Sequence, residues 1–417
     1  MECPVRWVDS GVRDLVICEA VETSKRQPLL ANVQALRAIA AALVVLVHMT
    51  LKNVGVEDVV GRSEASWLTP FHFIGIFGVD LFFVISGFIM LATNWDSFGR
   101  KNAGFTFLIR RAIRIYPPYW FATLPVFAVF EFARERFMVS HMTGQTGILE
   151  SFLLLPNPHR FILTVGWTLV WEMVFYIVFA AILPFRQRYV PMLLALWFGV
   201  ELVLNGVFAH ADNFYLGFAS ATLPIEFIFG TAIGWLYIKR RLPPTWLTAI
   251  GALVTTSIAF KIMIASADDN FPIDRVWFFG IPAALIVVTA IASEVRGSFV
   301  APRFVSNLGD GSYAVYLWHI SILVSIRQIL IAFHPAGPIA HAVVIVTTLV
   351  AIVAIGQLIF LYFERPVTAY LNARYQAYRR RARIERAPVL NRTETELGPT
   401  KLRRPSAKEL LHDTITD

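Results

Sequence analysis

The chain has 417 residues, of which 56% are hydrophobic and only 16% charged, whereas soluble domains contain about 45–50% apolar and roughly 25% charged residues. Lys and Arg together exceed Asp and Glu by eight, and in a chain this apolar such an excess marks cytoplasmic loops rather than affinity for nucleic acid. The composition disfavours a soluble enzyme, a DNA-binding protein and a disordered scaffold, and it predicts an integral membrane protein.

Ten apolar windows are long enough to cross a bilayer, which takes about 20 residues of helix. They cover residues 34–52, 73–92, 115–132, 165–184, 190–209, 219–238, 244–264, 275–293, 313–332 and 341–363. The residues before the first window lack the basic and apolar regions of a secretory signal peptide, so we expect none. The pattern predicts an all-α fold, a polytopic transmembrane helical bundle with about ten spans.

The distribution of Lys and Arg predicts the orientation of these spans. With the N-terminus in the cytoplasm, 28 of these residues fall on the cytoplasmic side and six outside, as the positive-inside rule requires. Both termini are thus predicted to be cytoplasmic, with a tail at 1–33, a transmembrane domain at 34–363 and a basic tail at 364–417. That tail is predicted to begin as a surface helix and to be disordered after Ala387.

The apolar stretch ILESFLLLP, within 133–164, is either a short re-entrant or surface segment or an additional pair of spans.

The first span, QALRAIAAALVVLVHMT, contains Arg37 and His48. Ionisable residues inside spans are costly and are therefore candidates for function. The two residues are eleven positions apart, about 20° more than three helical turns, so they share one helix face. They form part of a site, or else Arg37 reaches the membrane surface and His48 bonds a nearby backbone carbonyl.

The second span, IGIFGVDLFFVISGFIM, contains Asp80 and Ser86, and the segment FLIRRAIRIYPPYW follows it. A carboxylate within the membrane needs a partner. Asp80 either belongs to a proton-handling cluster or makes a structural contact with a neighbouring helix. Arg110, Arg111 and Arg114 are spaced three and four residues apart, which favours a group that grips phosphates at the inner surface. Anchoring of the topology explains these arginines equally well.

The fourth span contains GWTLVWEMVFY, with Glu172 slightly outside its midpoint. Counted from the estimated midpoints, Glu172, Asp80 and His48 lie within about 4–8 Å outside the bilayer centre. A histidine and two carboxylates at one depth can transfer protons. The sequence therefore predicts a cluster in which Asp80 and Glu172 accompany the imidazole.

The ninth span begins SYAVYLWHISIL and places three polar side chains on one face in its cytoplasmic half. Ser312, Tyr316 and His319 either line an entry channel from the inside or form hydrogen bonds between helices. Glu364, in FERP at the end of the last span, is predicted to cap a helix or to form a salt bridge.

These segments together resemble the acyltransferase 3 family of integral membrane acyltransferases. The matching pieces are NVQALRAIAAALVVLVH, FGVDLFFVISGFIM, LIRRAIRIYPPYW, GWTLVWEMVFY and SYAVYLWH, in the family's order. The first and fourth look most like the branch that modifies bacterial exopolysaccharides. About thirty residues precede the first motif, more than in many relatives. We expect no extracytoplasmic hydrolase-like domain of the kind that some relatives carry, and we therefore expect the acceptor chemistry to be completed within the membrane domain.

The resemblance implies ten transmembrane helices, a cytoplasmic acyl-CoA donor, usually acetyl-CoA, and O-acylation of a sugar hydroxyl. By motif, it implies that His48 is catalytic, that Arg37 is its essential partner and that the arginines of RRAIR bind the donor. A cysteine carrier of the acyl group is excluded because Cys3 and Cys18 lie in the N-terminal tail. An acyl-histidine intermediate remains an alternative to direct transfer.

We therefore predict an O-acetyltransferase of the bacterial inner membrane with acyl-CoA as co-substrate, no permanently bound cofactor and no metal. His48 is the general base, with Glu172 or Asp80 orienting its imidazole, and Ser86, Tyr316 and His319 line the substrate route. The predicted partners are a polysaccharide or lipid-linked oligosaccharide acceptor, membrane lipids and polysaccharide assembly proteins, but not nucleic acid. The alternative is a polytopic transporter or flippase for a polysaccharide precursor, in which the same ionisable residues would relay protons; only the enzyme would consume a CoA thioester.

Overall fold

A computed structural model describes residues 30–51, 54–56, 69–132, 146–209, 211–266, 275–333, 335 and 338–386. Within these ranges the chain forms helices and no β-strand. The helices are α1 Ala31–Met49, α2 Thr69–Asn94, α3 Ala103–Phe132, α4 Ile148–Leu153, α5 Gly166–Ile182, α6 Val190–Phe208, α7 Phe214–Ala219, α8 Leu223–Ile238, α9 Thr245–Ser266, α10 Ile281–Val295 with a preceding π-turn Val276–Gly280, α11 Arg303–Asp310, α12 Ser312–Phe333, α13 Pro338–Ile359 with a following π-turn Phe360–Glu364, and α14 Arg365–Arg386. The predicted all-α class is confirmed.

Eight helical segments of the described residues are long and apolar enough to cross a membrane. The two other predicted spans correspond to α3, which has 30 residues and contains three prolines, and to α5, which has 17 residues. The polytopic transmembrane bundle is thus confirmed, whereas the count of ten spans and the cytoplasmic termini stay predictions. The predicted basic surface helix corresponds to α14, which is largely exposed. Residues 1–29 and 387–417, including the stretch predicted as disordered, lie outside the described residues.

The second helix is at the centre of the bundle and packs between α1 and α8. It approaches α8 through two glycines, because a Cβ atom on Gly230 would lie 1.9 Å from the Val84 carbonyl oxygen and one on Gly87 would lie 2.1 Å from the Phe227 carbonyl oxygen. Small residues allow such backbone contact between membrane helices. The close approach fixes the register of the α2 face that carries Ser86.

The start of α1 is capped by a carboxylate from α10. The backbone N–H groups of Ala31 and Asn32 donate to the two carboxylate oxygens of Glu294, at 2.9 and 2.7 Å. The first N–H groups of a helix have no partner within the helix, and the helix dipole favours a negative charge there. This cap fixes the end of α1, which lies about one and a half turns before Arg37.

The short helix α4 is held by aromatic side chains of α3. Tyr116, Tyr119 and Trp120 donate to the carbonyl oxygens of Leu153, Ser151 and Phe152 at 2.9, 2.7 and 2.9 Å. These oxygens are at the end of α4, where carbonyls lack partners within the helix. The three donors come from the YPPYW segment at the middle of α3, and α4 has only six residues. The contacts favour a short re-entrant or surface segment over an additional pair of spans.

The predicted topology can be tested with reporter fusions that distinguish the two sides of the membrane. Fusions after Arg100, Lys239 and Tyr375 should all report cytoplasm, because the basic residues concentrate on that side. A fusion after Asn213 serves as the control and should report the opposite side. An outside signal at any of the first three positions would contradict this topology.

Candidate active site

A cavity of about 1490 Å³ lies between α1, α2, α3, α5 and α12. Arginines dominate the charged groups of its wall, which are Arg37, Arg110, Arg111, Arg114, Arg240 and Arg296 against Asp96, Glu172 and Asp310. We call it the arginine cavity. Its wall includes Gln34 near the start of α1 and Trp95 just after α2, helix ends that the charge distribution predicts to be cytoplasmic. The arginines predicted to bind phosphates and Arg37 thus share one cavity.

Two arginines of the cavity are held in place by neighbouring side chains. Arg114 forms a salt bridge with Glu364, at 3.8 Å between Nη2 and Oε1, and Glu364 is buried. The salt-bridge interpretation of Glu364 is therefore confirmed. The Arg111 guanidinium lies over the rings of Phe107 and Tyr176, at 5.4 and 5.8 Å from their centroids, an arrangement that attracts a cation. These contacts hold both guanidinium groups at the cavity wall, and the wall keeps a net positive charge.

Glu172 belongs to this group of arginines. It accepts a hydrogen bond from Tyr176 and lies 3.5 Å from the Ser86 hydroxyl. The charges that act on it are those of Arg111, Arg114 and Arg37. The prediction that Glu172 orients His48 is not supported, because its carboxylate faces the arginine cavity.

Arg37 is held by a short polar chain at the mouth of the cavity. Its Nη1 donates to Gln34 Oε1 at 2.7 Å, and the Gln34 amide donates to Asp310 at the end of α11. Arg37 therefore contributes its charge to the arginine cavity rather than to the surroundings of His48.

His48 contacts His319, with the two rings edge to face and their centroids 4.7 Å apart. The Nδ1 atoms lie 2.8 Å from the Val44 carbonyl oxygen and 2.6 Å from the Tyr316 carbonyl oxygen, respectively. A carbonyl only accepts, so each Nδ1 carries a proton in these two contacts. The alternative that His48 bonds a backbone carbonyl is thus confirmed.

The contact between the histidines corrects the predicted depths. The window midpoints predict that His319 lies in the cytoplasmic half of its span and His48 in the outer half, yet their rings are in contact. Depths counted from window midpoints assume that all spans are equally long and untilted, whereas α1 has 19 residues and α12 has 22. His319 is fully buried, and its Nε2 has no hydrogen-bond partner.

Tyr316 lies between the arginine cavity and the histidine pair. It lines the cavity together with Phe82, Ser86 and Ser312, and its ring centroid is 5.8 Å from that of His319. Its hydroxyl bonds Thr168 and lies 3.3 Å from the Val165 carbonyl oxygen. Neither histidine is among the residues of the cavity wall. Ser312 and Tyr316 thus line the arginine cavity and His319 lies behind Tyr316, whereas their role in an entry channel stays a prediction.

Asp80 does not lie beside His48 but is bonded to Arg275, which corrects its predicted role. Both of its carboxylate oxygens accept from Arg275, from Nε and Nη2 at 2.8 Å each, and Asp80 is fully buried. The Glu226 carboxylate is also fully buried and adjoins the pair. This triad joins α2, α8 and the start of α10, so the structural interpretation of Asp80 is the correct one.

Four of these residues were not predicted to belong to a site or a buried ion pair. The charge distribution places Arg240 and Arg296 on the cytoplasmic side and Arg275 outside, with no further role. Glu226 stands alone within an apolar window, and a charge buried in such a window was the signal that could have found it. In the described parts of the chain, no three His, Cys, Asp or Glu side chains converge as a metal site would require.

Comparison with known proteins gives one family and several relatives. The profile of the acyltransferase 3 family, an acyltransferase domain, matches residues 30–357. The exopolysaccharide production protein ExoZ of Rhizobium meliloti is 32% identical over 323 residues, which is 75% of this chain and 95% of ExoZ. The O-acetyltransferase OatA of Staphylococcus aureus is 22% identical over 343 residues, 74% of this chain and 54% of OatA. A putative O-acetyltransferase of S. aureus strain COL is 23% identical over 340 residues, 72% of this chain and 51% of that relative. The chain thus spans about half the length of the staphylococcal relatives. No solved structure matches it significantly.

The structural role assigned to the triad predicts the effect of Arg275→Met. The buried Asp80 carboxylate would lose its paired cation, and breaking a buried ion pair costs about 3–5 kcal/mol of stability. The melting temperature of the purified protein should fall clearly, whereas Arg303→Met, at an exposed arginine of α11, should leave it unchanged. Adding Asp80→Asn and Glu226→Gln to Arg275→Met should recover part of the loss. Equal melting temperatures for the two single variants would contradict the structural role.

Proposed function

Because the chain belongs to the acyltransferase 3 family of membrane O-acyltransferases, we propose that it transfers an acetyl group from acetyl-CoA to a sugar hydroxyl of an exopolysaccharide or its lipid-linked precursor. The observation that carries this proposal is the arginine cavity beside a pair of histidines. The acceptor class is supported by similarity to ExoZ, which is named an exopolysaccharide production protein. We place the reaction in the inner membrane of a bacterium, with the donor entering from the cytoplasm.

The arginine cavity suits a ligand with several phosphates. Its wall carries six arginines and three carboxylates, and guanidinium groups bind phosphates through paired, charge-assisted hydrogen bonds. Its volume of about 1490 Å³ exceeds the roughly 300–1,000 Å³ of common small-molecule sites. CoA is both large and polyanionic. We assign its phosphates to Arg110, Arg111, Arg114 and Arg37.

The pantetheine arm then extends from these arginines along Ser86 toward Tyr316. Tyr316 hydrogen-bonds Thr168 at the inner end of the cavity, and the histidine pair lies behind it. The acetyl end of the donor must therefore displace the Tyr316 side chain before it meets His48. Binding and reaction are thereby separated, which limits hydrolysis of the thioester when no acceptor is bound.

In the proposed transfer, His48 acts as the general base. Its Nε2 takes the proton of the sugar hydroxyl as that oxygen attacks the thioester carbonyl carbon. The C–S bond then breaks, the CoA thiolate leaves, and the imidazolium returns the proton to the sulfur. The products are an O-acetyl sugar and CoA. The Nδ1–H bond to Val44 holds the imidazole in the tautomer that this step requires.

Donor binding is tested with the double variant Arg111→Gln/Arg114→Gln. Acetyl-CoA binding should weaken several-fold to tens-fold, since each charge-assisted phosphate contact is worth about 1.5–3 kcal/mol before solvent screening. The loss should shrink at high salt. The matched control is Arg186→Gln/Arg188→Gln, two exposed arginines outside the cavity on the same predicted side. Unchanged affinity in the folded double variant would return Arg111 and Arg114 to the role of topology anchors.

The role of His48 is tested by transfer of labelled acetyl groups in membranes that contain His48→Ala. A general base contributes typically about 10²–10⁴-fold to the rate, so transfer should become undetectable. Insertion, melting temperature and acetyl-CoA affinity should be retained, because His48 is not part of the arginine cavity wall. A structural histidine would instead lower yield or melting temperature. Activity within a few-fold of wild type would remove His48 from the mechanism.

A further inference from the structure

A second cavity, of about 500 Å³, lies at the start of α5. Its wall is rich in aromatic rings, those of Phe161, Trp167, Trp171, Phe214 and Phe218. We call it the aromatic cavity. Trp171 is stacked on Phe218 with centroids 3.8 Å apart, whereas Trp167 keeps 38% of its surface exposed. An indole face is therefore available to a ligand.

The aromatic cavity and the arginine cavity lie on two faces of the same helix. Trp167 and Trp171 of α5 face the aromatic cavity, whereas Thr168 and Glu172 face the arginine cavity. The remaining wall of the aromatic cavity comes from segments predicted to lie outside the cell, 156–164 and the start of α7 at Phe214. The two cavities thus approach the bundle from opposite sides of the membrane.

The aromatic cavity contains a polar group that lacks a partner. Asn157 lines it and is 6% exposed. The Asn157 Oδ1 accepts from the His159 backbone N–H at 2.7 Å, but its Nδ2 is buried without a hydrogen-bond acceptor. A buried donor without a partner destabilises the protein, so the site suits a ligand that offers an oxygen acceptor. Thr164, His159 and Arg160 add further polar groups to the wall.

Contacts with neighbouring helices hold the wall of the aromatic cavity in place. The segment 156–164 follows α4, whose last carbonyls are bonded by three side chains of α3. At the other end, a Cβ atom on Gly166 would lie 3.0 Å from the Phe161 ring, so this glycine allows Phe161 to pack against the start of α5. The cavity is therefore preformed.

We propose that the aromatic cavity binds a saccharide unit of the acceptor. A pyranose ring presents a face of C–H groups that packs on an aromatic ring, and its hydroxyls accept and donate hydrogen bonds. Trp167 supplies the aromatic face and Asn157 the donor. The volume of about 500 Å³ lies within the roughly 300–1,000 Å³ of small-molecule sites. This assignment rests on the proposed function, because it names the site where the acceptor glycan enters.

The position of the cavity brings the acceptor toward the reacting groups. Thr164 lines the aromatic cavity, and the carbonyl of the next residue, Val165, accepts from Tyr316 at the inner end of the arginine cavity. The saccharide and the donor thus approach the same tyrosine from two sides. An ordinary interfacial belt of aromatic residues would explain exposed rings, but it would leave the Asn157 amide without a partner.

The proposal is tested by calorimetric titration of the full chain in nanodiscs with two probes, cellotetraose and oligosaccharides released by mild acid from the surface polysaccharide of the host cell. Wild type should bind at least one probe. Trp167→Ala should weaken that binding about tenfold or more, as truncation of an aromatic anchor does. The matched control is Trp277→Ala, since Trp277 is also 38% exposed but lies outside the cavity. It should bind like wild type.

Acetyl-CoA titration of the same samples separates the two proposals. Wild type, Trp167→Ala and Trp277→Ala should bind acetyl-CoA equally, and failure of wild type to bind it would contradict the donor assignment while leaving the saccharide result intact. If Trp167→Ala does not fold, Thr164→Trp fills the cavity from an exposed position and should abolish saccharide binding. Absence of saccharide binding by wild type, or equal binding by wild type and a folded cavity variant, would overturn the proposal.

Discussion

The cost of placing guanidinium groups inside an apolar bundle is the constraint on which the rest of this structure depends. A buried charge is tolerated only when other groups compensate for lost hydration. In the arginine cavity, Glu364 pairs with Arg114 and two aromatic rings face Arg111. Six arginines still outnumber three carboxylates in the wall. The remaining positive charge of the wall suits a polyanion, and this supports the proposal that the cavity binds a CoA thioester.

The same constraint is met differently on the other side of α2. There the Arg275 guanidinium is paired with both oxygens of the buried Asp80 carboxylate, and the buried Glu226 carboxylate lies nearby. Because this cation already has its partner within the fold, the group serves to join three helices. The balance of cations and carboxylates thus differs between the arginine cavity and this structural contact, although both place ionisable residues inside spans.

Much of the fold could be predicted from the sequence, because a stretch of apolar residues specifies a membrane helix without reference to its neighbours. The shared cavity of the RRAIR arginines and Arg37 was also predictable from spacing and from the family resemblance. The partners of single charges were not. A sequence gives the depth of Asp80 and Glu172 along their helices, but the rotation of each helix decides whether a side chain faces His48, Arg275 or Arg111. The contact of His48 with His319 was missed because midpoint counting ignores tilt. Glu226 was missed because its window is otherwise apolar.

The position of a bound donor tests this account most directly. The measurement is a cryo-electron microscopy structure of the full chain in nanodiscs with acetonyl-CoA, whose ketone cannot transfer an acetyl group. We expect the phosphates at Arg111 and Arg114 inside the arginine cavity, and the ketone beyond Ser86 at Tyr316, on the side of the histidine pair. Phosphates bound outside this cavity, or a ketone that points away from Tyr316 and His48, would contradict the account.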